Sequence, residues 1–131
     1  MPCDYAIDAE RQRVWSRAWG DVTDADLLDH QRRLAQDPTF HRHFSQLIDF
    51  RAARSLQAVT AAGIRMAAKR HLFGQHSRRA IVTMDPLTFG LARMFQAYRE
   101  IARGEEEIHV FRNMDDALVW LGSLTEGEVN E

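Results

Sequence analysis

Four times along this chain, a capping residue opens a helical stripe after an apolar or β-branched run. Thr23 has Asp26 three residues on, the spacing of a capping box, and Val22 with Leu27 forms a hydrophobic staple across it. Val59, Thr60 and Ile64 repeat the staple, Asp85-Pro86 places a cap before a proline at the first helical position, and Asn113 precedes Asp116 at box spacing. Each start follows a strand-like segment: Arg13 to Trp19, Phe44 to Phe50, Arg79 to Met84 and Glu107 to Arg112. A further short run, Tyr5 to Ile7, comes before the first of these and is separated from it by the polar Asp8-Ala9-Glu10-Arg11-Gln12, so the two read as an N-terminal hairpin. The order is β-β-α-β-α-β-α-β-α. Because strand-helix-strand crossovers are right-handed almost without exception, it predicts a mixed, mostly parallel five-stranded α/β sheet with the first strand antiparallel at an edge.

Stops are equally marked. Gly20 is read as the end of the second strand, and Asp37-Pro38 stops a helix whose apolar side is Leu27, Leu28, Gln31, Leu34 and Ala35. The second helix is expected to reach about His71, with Lys69 and Arg70 beside its C-terminal dipole. Leu87, Leu91, Met94, Phe95, Tyr98 and Ala102 form a third stripe closed by Gly104, and Leu118 and Leu121 a fourth closed by Gly122. The 131 residues, 45% apolar and 27% charged, suit one folded domain over 1–131, with its core at about 4–122 and a loose tail at 123–131. No apolar run is long enough to span a membrane, and the opening Met1-Pro2-Cys3-Asp4 has no leader pattern, so a cytoplasmic protein is expected. The single cysteine, Cys3, excludes an internal disulfide and lies where a terminus is expected to fray.

Several of these strings resemble the STAS and SpoIIAA-like group, in its SEC14-like branch. They are Gly20-Asp21-Val22-Thr23-Asp24-Ala25-Asp26, Gln46-Leu47-Ile48-Asp49-Phe50, Ala80-Ile81-Val82, Phe89-Gly90-Leu91-Ala92-Arg93-Met94-Phe95, and Val110-Phe111-Arg112 with Ala117-Leu118-Val119-Trp120-Leu121-Gly122. The resemblance spans roughly residues 4–122. It implies a mixed sheet beside several helices and a regulatory or binding module, not an enzyme, whose partner is another protein or a small apolar ligand held between helices and sheet. Some members are switched by phosphorylating a hydroxyl at the start of the helix after the central strand. Aligning Gly63 on the motif glycine puts Ala62 at that position, so the usual phosphoacceptor serine is missing and Thr60 and Ser55 are the remaining hydroxyl candidates.

Candidate ligand contacts follow from side-chain type. Phe89, Met94, Phe95 and Tyr98 are adaptable apolar residues that suit a cavity wall or a core. Asp49, with Arg51 and Arg54 close by and Asp85 after the next strand, stands where open α/β sheets bind ligands or where an ion pair closes a loop. Net charge is only −2, yet residues 41–79 carry eight Arg or Lys against Asp49 alone, while residues 105–131 carry eight acidic groups against Arg112. This polarity leaves an anion- or nucleic-acid-binding reading as the alternative, although nucleic acid is not an expected partner and the acidic stretch can neutralise the basic one. A small enzyme at the Asp49/Arg51/Asp85 end of the sheet ranks last, since phosphate-loop, nucleophile-elbow and zinc-helix patterns are missing. His41, His43, His71 and His76 are read as surface histidines, with no metal and no cofactor expected. Trp15, Arg17 and Trp19 share one strand face, which packs under a helix or pairs a homodimer.

Overall fold

All four helix starts form as their residues dictate. In the computed structural model, which describes residues 2–122, Thr23 and Asp26 exchange both bonds of a capping box at the head of α1 (Asp24–Ala35). Thr60 caps α2 (Ala61–Ala68), Asp85 caps α3 (Pro86–Ile101), and Asn113 caps α4 (Met114–Leu121), which ends on Gly122 in the left-handed conformation. Strands β1 (Cys3–Asp8), β2 (Arg13–Thr23), β3 (Ser45–Ala58), β4 (Arg78–Val82) and β5 (Glu107–Phe111) form one sheet in the order β1-β2-β3-β4-β5. The β1–β2 hairpin is antiparallel and every other pairing is parallel. The tail expected at 123–131 lies outside the described residues.

Alternation along the strands sends neighbours to opposite faces. In β4, Ile81 joins α1, α2 and α3 in one core, while Ala80 and Val82 pack with Leu47 beneath α4 in another. Trp15 and Trp120 belong to the α4 side, so the second-strand face packs under a helix at Trp15; Trp19, further along, lies beneath the guanidinium of Arg17 at 4.8 Å.

The largest departure from the sequence reading is the reach of β2 and β3. Gly20 does not end β2: it takes φ +65, a conformation glycine adopts without steric cost, and the strand passes through an irregular, bulged register to Thr23. Its partner β3 runs to Ala58 instead of stopping at Phe50. The segment Arg51 to Ser55 does not read as a strand because its charges face solvent, where Arg51 pairs with Asp49 and Arg54 with Asp21 of β2. Helix α2 ends at Ala68, three residues before His71, and β4 ends at Val82 because Thr83 turns toward the Asp85 cap. Cys3 is not frayed; it is buried in β1.

Asp24 also binds the next helix. Its carboxylate accepts the Thr60 N–H at 2.9 Å and the Thr60 hydroxyl at 2.6 Å, and it lies against Gly63, where the Cβ of any other residue would collide with it. Gly63→Ala is therefore expected to destabilise the fold by about 1–2 kcal/mol in urea unfolding, despite alanine's higher helix propensity. In an Asp24→Ala background the same substitution should become neutral or stabilising by up to ~1 kcal/mol.

Candidate functional site

Between the sheet and α1–α3 lies a cavity of about 90 Å³. Its walls are mostly apolar: Ala18, Ile48 and Ile81 from the sheet, Leu27 and Leu34 from α1, Ile64 and Ala67 from α2, Leu91, Ala92 and Phe95 from α3. The extended part of β3 contributes Phe50 and Leu56, so the added strand length closes a flank of this space. Cys3 also lines it, its thiol pushed up to about 11, chiefly by burial, which leaves it protonated and unreactive at neutral pH.

One wall is polar, and a continuous chain of hydrogen bonds runs from it to Glu106. Glu106 accepts from Arg79 at 2.8 Å and from Arg99 at 3.0 and 2.8 Å, and the Arg99 guanidinium also reaches the Ala68 carbonyl at the end of α2. Arg79 Nε donates to Gln46 Oε1, so the Gln46 amide nitrogen must face Ser16 Oγ, to which it donates at 3.0 Å. Ser16 Oγ and His30 Nε2 lie 3.0 Å apart and share one hydrogen bond, whose direction follows the imidazole tautomer. Burial, helped by Arg33 and Arg79, holds His30 down to about 4, so the imidazole is neutral at pH 7. Burial opposes the charge of Glu106, but the bonds from Arg99 and the field of Arg79 outweigh it and keep the carboxyl below its usual range. Burial weakens the Arg79 cation to about 10, still charged at neutral pH.

Gln31 stands apart from this chain. Its amide nitrogen donates to the Ala67 carbonyl at 3.1 Å, so its oxygen is turned the other way, and that buried Oε1 receives no hydrogen bond among the described residues. Flipping the amide would set two oxygens against each other.

The residues singled out from the sequence divide between the two sides of the sheet. Phe95 lines the cavity, and Met94 and Tyr98 pack behind it against the same core. Phe89 instead lies under Arg112, 4.0 Å from its ring centre. Asp49 shares the parity of Leu47 on the α4 side, its carboxyl opposed by burial yet held low by bonds from Arg51. Arg54 is an exposed partner of Asp21, and Asp85 spends its carboxylate on the N–H and hydroxyl of Thr88. Thr60 both donates to Asp24 and caps Gly63, while Ser55, half-buried on β3, accepts the N–H of Gln57. Among the described residues, five of the eight cations in residues 41–79 form ion pairs, and Glu105, Glu106 and Glu107 supply three of the partners, to Arg42, Arg79 and Arg78. His41 and His43 stack on each other, and His71 Nδ1 lies 3.3 Å from Arg99. Among the described residues no group of three or more His, Cys, Asp or Glu is placed to hold a metal ion, and no helix is long and apolar enough to cross a membrane.

The sequence reading did not single out Ser16, His30, Gln46, Arg79, Arg99 or Glu106 as a group. The usable signal was a polar residue inside an apolar pattern, as with Gln31 on the inner stripe of α1 and Gln46 in an apolar strand.

This arrangement is a SpoIIAA-like fold. The chain superposes with TM-score 0.58 on the crystal structure of an uncharacterised protein of the DUF3478 family with a SpoIIAA-like fold, from Shewanella loihica PV-4. The two are 22% identical over 91% of this chain and 93% of the other. No protein-family model matches the sequence, and no curated protein matches it.

Two outcomes follow from the polar wall. Glu106→Gln leaves two buried guanidinium groups without their counter-charge and should cost roughly 3–5 kcal/mol in urea unfolding. His30 titrates near 6.5 when unfolded and about 4 when folded, so the unfolded chain takes up a proton first as pH falls. Its contribution, on the order of 3 kcal/mol, is full above pH 6.5 and disappears toward pH 4. His30→Gln should flatten that part of the stability–pH curve.

Proposed function

We propose that this chain is a non-enzymatic STAS-type module that binds a small apolar molecule between its sheet and α1–α3. The observation that supports it is the cavity, whose lining is apolar over nearly its whole area and lies on the face covered by three helices. Its volume limits the ligand. An apolar cavity of roughly 150 Å³ takes up benzene and drug-sized ligands need roughly 300 Å³ or more, so about 90 Å³ suits a single small ring, or the tip of a chain, with the partly buried Leu27, Leu72 and Leu91 giving way. A whole lipid does not fit. The Ser16–His30 pair does not argue for acyl chemistry, because no hydrogen bond among the described residues orients the imidazole from its other ring nitrogen. A protein partner is the second half of this reading, supported by Met84 and Leu87, 68% and 54% exposed around the start of α3.

Toluene, followed by methyl NMR, is the direct probe. Titration should shift the methyl groups of Leu27, Ile48, Ile64, Ile81 and Leu91 and leave the exposed Ile101 and Val119 unmoved, with Tm rising with toluene concentration. Ala92→Phe, which projects a ring into the cavity, should weaken binding by at least about tenfold. Shifts confined to exposed methyl groups would remove the reading.

A further inference from the structure

The cavity is lined by a residue whose buried acceptor receives no hydrogen bond among the described residues. That residue is Gln31, 8% exposed, and the acceptor is its Oε1. A buried acceptor with no partner is costly, and its amide cannot turn away because the Ala67 carbonyl holds the nitrogen. The other polar groups of this wall are engaged with one another: Ser16 with Gln46 and His30, Gln46 with Arg79, and Arg79 with Glu106. The Arg79 guanidinium is flanked by the rings of Phe73 at 4.4 Å and Phe95 at 5.2 Å, and its charge is answered by Glu106.

We infer that the cavity selects an uncharged ring or short apolar group bearing one hydroxyl or N–H donor, and that Gln31 Oε1 is the atom that receives it. This rests on the reading of the cavity as a ligand site and adds the chemistry of the ligand. A carboxylate is disfavoured on the same grounds, since the one buried cation in the wall is already neutralised and the unmet group is itself an acceptor. A purely apolar ligand fits by shape but leaves Gln31 unpaired, so it binds more weakly than its hydroxyl counterpart.

Phenol, toluene and benzoate are close in shape and differ at one substituent, which makes them the test. Against the unmodified protein, phenol should bind at least about fivefold tighter than toluene, the order of one buried hydrogen bond, and benzoate weakest. Phenol, and not toluene, should shift the Gln31 side-chain carbonyl carbon in NMR. Gln31→Leu should bring the phenol-to-toluene ratio to about one while toluene affinity holds or improves. If that variant does not fold, the ratio and the carbonyl shift in the unmodified protein decide alone. Equal binding of phenol and toluene, a preference retained in Gln31→Leu, or tightest binding of benzoate overturns the assignment of Gln31 while leaving an apolar site in place. Binding of none of the three overturns the site itself and this inference with it.

Discussion

The Glu106 carboxylate, buried between two arginines, joins three separate elements of this molecule. Arg79 comes from β4 and Arg99 from α3, and Glu106 lies just before β5, so one anion ties an inner strand of the sheet to the longest helix and the last strand. Through Arg99 it also reaches the C-terminal carbonyl of α2, where the helix has no internal donor left. Three ions this deeply buried each carry a desolvation penalty, which their mutual geometry offsets only while all are present. An apolar triad of similar volume could serve stability equally well. What such residues would not supply is direction: Arg79 orients the Gln46 amide, and Gln46 in turn donates to Ser16, which bonds His30.

That chain of hydrogen bonds shapes the cavity beside it. Its polar groups turn toward one another and present the space with mainly hydrocarbon, leaving Gln31 Oε1 as the exception. The other side of the sheet is organised differently. There α4 covers Leu47, Ala80 and Val82, and aromatic rings sit beside cations, with Trp120 near Arg78 and Trp19 near Arg17. Asp49 and Arg51 belong to this second side, so the two sets of candidate ligand contacts do not converge on one place.

Local chemistry made much of the fold legible. Thr23, Thr60, Asp85 and Asn113 each act within three residues of themselves, and a cap operates whatever the rest of the chain does. The length of β3 was hidden because Arg51 and Arg54 face solvent, and Arg54 finds its partner only in space, in a residue 33 positions away. The site was legible only in part for the same reason. Phe95 announces itself by helical spacing, whereas Arg79 and Glu106 each sit inside a charge run and look solvated until the fold brings them together. Among the described residues, three such pairs, Arg42–Glu105, Arg78–Glu107 and Arg79–Glu106, join the basic segment to the acidic one. The start of α2 is likewise already satisfied: the Thr60 hydroxyl is engaged by Asp24 and Gly63, so a carboxylate from α1 occupies the ground a phosphate would need.

The central claim is that the space between the sheet and α1–α3 admits an apolar guest without rearranging the fold. Diffraction from crystals pressurised with xenon tests this most directly, because xenon enters apolar cavities of sufficient size irrespective of hydrogen bonding. The account predicts a xenon atom in van der Waals contact with Ile81, Leu91 and Phe95, with the Arg79–Glu106–Arg99 cluster unmoved. A core closed to xenon at that position, with side chains filling the space, would contradict it.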